Sequence, residues 1–265
     1  MFYEASEALV LRTTDYGESD RVVQLLTAVN GLCSGFAPGA RNSRRRFGPA
    51  LQPLSHVRIY WQRGRPGHLR QLKQADLLVS PRRLLPRLQA WALGVYGCEL
   101  VLNLFAEEDP QPALFELMLA YGDALADGTP LAEARLLFEL RLLALAGLLP
   151  HLGHCAQCGT LAGGPQRVFD SRRGGALCLA CASGVEPLRV AALSLGSLAR
   201  LARLDLCRFA GVRLSGATLR EGHAVLGQVL GQVLPRSMKT PPFIDLFAAC
   251  DRRGDLHLDS SGQTG

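Results

Sequence analysis

Four cysteines in two tight pairs constrain this chain more than any other feature: Cys155-Ala156-Gln157-Cys158 and, nineteen residues later, Cys178-Leu179-Ala180-Cys181. Each Cys-x-x-Cys pair wraps one side of a metal ion in a knuckle, and the intervening span lets the two pairs meet at a tetrahedral centre. Four thiolates fill the coordination shell and leave no position for a substrate. The expected ion is therefore one structural Zn2+ held by Cys155, Cys158, Cys178 and Cys181. Gly159, Gly163, Gly164, Gly174 and Gly175 supply the turns of a ribbon too small to fold without it. The alternative, a pair of redox-active motifs, needs a thioredoxin-like strand and helix around one pair, and neither is visible. His154, next to Cys155, reads either as a replacement ligand or as a solvated neighbour. Cys33, Cys98, Cys207 and Cys250 stand singly on apolar stretches and read as buried small hydrophobes.

Two different periodicities surround this ribbon. Up to residue 80 the chain reads as short strands. Ala8–Thr14 and Arg21–Thr27 are rich in β-branched residues and are separated by the turn chemistry of Asp15 to Asp20. Asn30-Gly31 is a hairpin signal leading into Leu32–Pro38. Val57, Ile59 and Trp61 alternate with Arg58, Tyr60 and Gln62, one face to be buried and one basic and aromatic. Leu69–Val79 is the last strand. Five strands in this length fit a small closed barrel of the OB type, a platform for single-stranded nucleic acid on which Tyr60 is a candidate for stacking a base.

From Pro81 the period becomes helical. Leu84, Leu88, Trp91, Val95, Leu102 and Phe105 follow three- and four-residue steps, as do Leu114, Leu117, Tyr121 and Leu125. Leu131–Leu148 is apolar nearly all round and reads as a buried central helix, with Glu139 and Arg141 as a structural pair inside it. Ser194 can cap a helix over Leu195–Leu204, and a further helix runs over Leu219–Leu234. The fold class expected is α+β: an OB-type β-barrel over 1–80, then an α-helical domain over 81–250 carrying the four-cysteine zinc ribbon as an insert at 151–185. A flexible polar tail is expected at 251–265.

Charge divides along the same lines. Between Arg21 and Ala75 there is no acid, yet there are ten bases. A soluble surface ordinarily intersperses both signs, so the field points to a polyanion, phosphate backbones being the commonest. Arg41, Arg44, Arg45 and Arg46 fall in a stretch whose glycine and asparagine predict a flexible loop that buries no core. Arg58, Arg63, Arg65, Arg70 and Lys73 fall on the barrel. All nine are expected to grip phosphates rather than base edges. A solvated charge run is the plainer alternative. Glu107-Glu108-Asp109 breaks the helical pattern and is expected to form an acidic surface apart from the barrel.

No motif for catalysis is present: no phosphate-binding glycine loop, no HExxH, no GxSxG, and no His-x-Glu ahead of Pro-Cys-x-x-Cys. The expectation is a protein that is not an enzyme. The start, Met1 to Glu7, carries acids where a secretory signal needs bases. The apolar run around Leu136–Leu149 is broken by Glu139 and Arg141, so a cytoplasmic protein without a membrane partner is expected.

In order along the chain stand Ala8-Leu9-Val10-Leu11, Tyr16-Gly17-Glu18-Ser19-Asp20, Leu26-Thr27 with Gly31, Gly39-Ala40-Arg41 and Leu51-Gln52-Pro53. Further on, Phe138-Glu139-Leu140-Arg141-Leu142-Leu143 runs through Gly147 and Pro150 to Cys155-Ala156-Gln157-Cys158-Gly159. This ordered set resembles the bacterial recombination mediator family RecO across nearly the whole chain. The resemblance implies an OB barrel with a zinc-bearing helical domain, binding of single- and double-stranded DNA, and annealing of complementary strands. It further implies partnership with RecR, docking of the acidic tail of single-strand-binding protein on the helical domain, and help in loading RecA. The setting it implies is the bacterial nucleoid. The chain departs from the family's Lys/Arg-rich segment near the last helix, where it has Arg236-Ser237-Met238-Lys239-Thr240-Pro241-Pro242. A zinc-ribbon RNA-binding or transcription adaptor is the competing reading, and a preference for folded RNA would mark it.

Overall fold

A computed structural model of the chain describes residues 3–62, 69–161, 164–184, 188–234 and 238–240. Its first unit is a closed barrel of five strands: β1 (Tyr3–Tyr16), β2 (Asp20–Thr27), β3 (Gly31–Ala37), β4 (His56–Gln62) and β5 (Arg70–Val79), in the order β1-β2-β3-β5-β4. All pairings are antiparallel except β3 with β5, whose short parallel contact at Gly35–Arg70 and Phe36–Gln71 closes the barrel. That order is the OB arrangement expected from the strand count. Val57, Ile59 and Trp61 are fully buried inside it, and Arg58, Tyr60 and Gln62 face outward.

Over Ala8 to Leu11 the long first strand is buried on both faces. Ala8 and Val10 point into the barrel core, whereas Leu9 and Leu11 join Leu26 and Leu32 in the core of the helical unit. Period-two alternation thus serves two apolar interiors at once, which is why Ala8 to Leu11 reads as a continuous apolar run rather than an alternating one.

The segment between β3 and β4 is not the free loop its composition suggests. It is a chain of turns in which Phe47, Ala50 and Leu51 are buried to 2% exposure or less and belong to the barrel core. Asp20 accepts the Gly39 N–H at 2.7 Å, and Arg46 O accepts from Ala75 N at 2.9 Å. Leu51 O accepts the Thr13 hydroxyl at 2.6 Å. Glycine and asparagine here make tight turns rather than slack, and an isolated phenylalanine among arginines carries no periodicity that would disclose the plug it forms.

The helical unit contains α1 (Leu88–Leu104), α2 (Pro112–Ala126), α3 (Leu131–Leu145), α4 (Ala192–Leu201) and α5 (Gly216–Val233). Leu114, Leu117, Tyr121 and Leu125 are buried in α2 as their spacing indicates. In α1 the buried face carries Leu93, Tyr96, Leu100 and Val101, while Leu88 is 40% exposed and Trp91, Val95 and Leu102 are half-buried. Apolar residues surround α1 almost completely, so a helical spacing can be threaded along the wrong face. Ser194 lies inside α4, which begins at Ala192, and is buried rather than capping.

In α3, Leu136, Leu137, Phe138, Leu140, Leu142 and Leu143 are fully buried. Glu139 and Arg141, both 1% exposed, are not partners: two positions apart on a helix they point to opposite sides. Glu139 Oε1 accepts from Tyr96 Oη at 2.8 Å and Arg135 Nε at 2.7 Å, and Oε2 lies 3.7 Å from His223 Nδ1. One carboxylate thereby joins α1, α3 and α5. Arg141 donates to Arg208 O at 2.6 Å and lies over the Phe209 ring.

The acidic break is docked on the barrel instead of standing apart from it. Glu108 N donates to Leu32 O at 2.8 Å, and Ser34 Oγ donates to Glu107 Oε1 at 2.8 Å. The approach is so close that a Cβ on Gly31, which has φ 64°, would lie 1.9 Å from Asp109 O. Gly31→Ala is expected to lower stability by about 2–3 kcal/mol through this overlap and its positive φ. Equilibrium urea unfolding checks the value; a loss below about 0.5 kcal/mol, the ordinary surface range, would disprove the joint.

Candidate nucleic-acid surface and metal centre

The missing acids of the arginine-rich stretch are supplied from β1. The antiparallel register sets Glu7 opposite Arg58 and Asp15 opposite Arg21. Arg58 Nη2 lies 3.1 Å from Glu7 Oε1, and His56 Nε2 lies 3.2 Å from Glu7 Oε2. The hydrogen bond from Arg58, aided by His56, holds the Glu7 carboxyl below the usual carboxylate range. Arg21 and Arg41 lie 3.0 and 3.7 Å from Asp15. Such pairing is invisible to a count along the chain because the partners come from a different strand.

The nine sequence candidates therefore differ in what they can offer a ligand. Arg44 and Arg45 are exposed and make no ion pair or side-chain hydrogen bond among the described residues. Arg46 is tied down, donating to Pro38 O at 2.8 Å and Ser43 Oγ at 3.1 Å with its guanidinium over Phe47. Arg70 lies over the buried Trp61 ring, 4.7 Å from its centroid. Lys73 donates to Gln71 Oε1 at 2.6 Å, on the strand against which the arginine loop is seated. Arg63 and Arg65 lie outside the described residues.

Sequence reading singled out Tyr60 and passed over a more exposed ring. Tyr60 is half-buried, whereas Tyr16 is 61% exposed and meets Phe36 edge to face at 5.9 Å, next to the β3–β5 closure. Tyr16 ends one strand and Phe36 sits near the end of another, so only the barrel brings them together.

The cysteine quartet does assemble. The four sulfurs of Cys155, Cys158, Cys178 and Cys181 all lie within 4.8 Å of one another, and Cys158 Sγ to Cys178 Sγ is 3.7 Å. A tetrahedron with metal–sulfur bonds of about 2.3 Å has edges of about 3.8 Å, so the thiols fit a shared metal ion. Burial opposes ionisation of Cys155, but backbone N–H groups of Cys158, Cys178 and Gln157 outweigh it and bring the thiol down to about 6. The His154 ring meets that of His151 at a tilt of 57°, with centroids 4.8 Å apart, and is not among the clustered ligands. Cys33 and Cys98 are buried as expected, Cys207 is exposed, and Cys250 is outside the described residues.

The knuckles are carried by a small sheet of β6 (Gln166–Asp170), β7 (Gly175–Leu177) and β8 (Leu188–Ala191), in the order β7-β6-β8. Gly175 lets this sheet close on the first knuckle: its φ is 138°, and a Cβ there would lie 2.3 Å from His151 O. Ribbon and helices share one core, since Phe169, Ala176 and Val190 pack with Leu195, Leu198 and Val225.

The fold and its centre define an OB-barrel protein fused to a helical unit with a ribbon whose four cysteines could hold one metal ion. The model of the N-terminal domain of recombination protein O matches residues 1–81, and that of its C-terminal domain matches residues 85–242. The chain is 42% identical over 240 residues to the DNA repair protein RecO of Syntrophotalea carbinolica, covering 91% of this chain and 93% of that one. Similar proteins of the same name include those of Anaeromyxobacter sp. strain K, 42% identical over 89% of this chain and 94% of that one, and Symbiobacterium thermophilum, 36% identical over 90% and 95%. The chain belongs to the RecO family of DNA repair proteins. Among the described residues no helix is long and apolar enough to cross a membrane.

Proposed function

We propose that this chain is a non-enzymatic recombination mediator that binds single- and double-stranded DNA and anneals complementary strands. With RecR it helps load RecA onto strands coated by single-strand-binding protein, in the bacterial cytoplasm at the nucleoid. The observation that carries the DNA reading is the barrel's combination of unpartnered Arg44 and Arg45 with the exposed Tyr16 ring on Phe36. Cations that answer no internal acid are free to replace the counterions of a phosphate backbone, and an exposed ring offers a base a stacking platform. Arg41, Arg58, Arg63, Arg65, Arg70 and Lys73 complete the phosphate-facing set, the paired ones exchanging an acid for a phosphate. Arg46 contributes chiefly by shaping the loop.

Cys155, Cys158, Cys178 and Cys181 hold one Zn2+, whose role is to fix the ribbon; a filled shell of thiolates gives it no substrate position. RecR and the acidic tail of single-strand-binding protein are partners by family membership, and the tail's affinity for the helical domain falls with salt.

The test is annealing of complementary strands by purified protein, with and without single-strand-binding protein, alongside Arg44→Ala/Arg45→Ala. Losing two single-strand phosphate contacts should flatten the slope of log affinity against log salt by about 1.4. Annealing should fall with affinity while thermal unfolding is unchanged, because neither side chain is buried. An unchanged slope and annealing rate in the double variant would refute the barrel surface.

A further inference from the structure

Among the described residues, positive charge exceeds negative charge most on the ribbon and the last two helices; over the full sequence, residues 1–80 and 152–265 each carry a net +5. The described residues of the barrel, through residue 80, carry nine bases against six acids, whereas those from 152 to 240 carry ten against three. Those three acids are already engaged by main-chain N–H groups. Asp170 accepts from Arg172 at 2.9 Å, Asp205 from Cys207 at 2.9 Å, and Glu221 from Ala191 at 3.1 Å. Apart from Arg167, none of the ten bases makes an ion pair among the described residues, although Arg173 donates to Gln157 Oε1; on α5 it is His223, facing Glu139, that meets an acid.

This charge borders a cleft of about 640 Å3 between the turn Ser171–Arg173 and α5. Arg172 and Arg173 stand on one wall, Gln228 and Gln232 on the other. Gly227 and Gly231 leave the helix surface between the glutamines bare: a Cβ on either would meet nothing within 4 Å. The only apolar residue of the lining, Phe169, is fully buried, so the cleft presents backbone and polar side chains, the Asp170 carboxylate beside Arg172 and Arg173 among them, but no apolar anchor.

We propose that this cleft seats the phosphodiester backbone of a second DNA strand, apart from the strand on the barrel. Guanidinium and carboxamide donors suit phosphate oxygens, and bare glycines admit a bulky backbone to the helix surface. An acidic peptide needs apolar contacts to add to its few charges, and the lining offers none. With its guanidinium groups on a turn and no exposed ring in the lining, the cleft is suited to backbone rather than base contacts. The proposal extends the reading of the barrel as a DNA platform, because one chain with two strand seats can hold both partners of an annealing reaction.

The test uses the full chain and two non-complementary oligothymidylates carrying a donor and an acceptor dye, so energy transfer reports two strands on the protein. Arg172→Ala/Arg173→Ala should cut the transfer severalfold and flatten the salt slope of total binding by about 1.4, at unchanged metal content. Gly231→Glu, which adds a carboxylate without touching the ribbon, should also cut the transfer, and Gly231→Gln should keep it. Wild-type transfer and slope in both charge variants would overturn the proposal, as would displacement of only an acidic peptide and no DNA. Failure of the barrel reading shows separately, as an Arg44→Ala/Arg45→Ala protein that binds like wild type while the cleft variants do not.

Discussion

Cys155→Ser is expected to strip the metal and destabilise the helical unit, not merely loosen the ribbon. Structural zinc in small ribbons contributes roughly 10–16 kcal/mol of binding free energy, and without it four thiols have no reason to converge. The consequence travels through β6, whose alternate residues face opposite ways. Val168 packs with Cys155 and Leu177 around the knuckles, while Phe169, fully buried, packs into the core shared by α3, α4 and α5. If the knuckles melt, Phe169 leaves that core, a loss of about 3–5 kcal/mol by analogy with truncating a buried aromatic. Metal analysis of protein purified without chelators should give one zinc per chain in the wild type and none in the variant. The variant's thermal unfolding, followed by far-ultraviolet circular dichroism, should start markedly lower. Absence of zinc from the wild type, or an unaltered unfolding curve in a zinc-free variant, would rule this account out.

Glu139→Ala is expected to cost about 3–5 kcal/mol, the range for removing one partner of a buried charged pair. The loss is large because the carboxylate is shared: Tyr96, Arg135 and the ring of His223 all turn toward it from three helices. Burial alone would raise its pKa, but the neighbouring His223 and Arg135 outweigh burial and hold it below the ordinary 4.5. A carboxyl with a lowered folded pKa contributes stability that is fully present above 4.5 and fades as pH falls through the folded value. The stability gap between wild type and variant should therefore be widest near neutral pH and narrow on acidification below that point. Urea unfolding across pH measures it; a gap that stays constant with pH would show that the carboxylate's charge is irrelevant.

What could be read from the residues alone was whatever repeats locally. The alternation of Val57, Ile59 and Trp61 located a strand with one buried face, and the spacing of the cysteines located a tetrathiolate centre whose sulfurs do converge. What could not be read was pairing between distant segments. A stretch without acids looks like an unanswered field until the register of β1 brings Glu7 to Arg58 and Asp15 to Arg21. Arg46 is indistinguishable in sequence from Arg44 and Arg45, yet it holds Pro38 O while they make no side-chain hydrogen bond among the described residues. Glu139 and Arg141 invite pairing by sign and proximity in sequence, but helix geometry sends them to different neighbours.

The strand that runs between the two interiors has an implication for how this molecule can be taken apart. A barrel excised at its natural-looking border after Val79 would carry Leu9, Leu11, Leu26 and Leu32 as an uncovered sheet face. Contiguous apolar surface of that kind promotes self-association. Grafting a barrel from one relative onto the helices of another would meet the same obstacle, since its first strand must match two sets of neighbours cut for different partners. The border between the two matched ranges, 1–81 and 85–242, thus falls between segments that share one core.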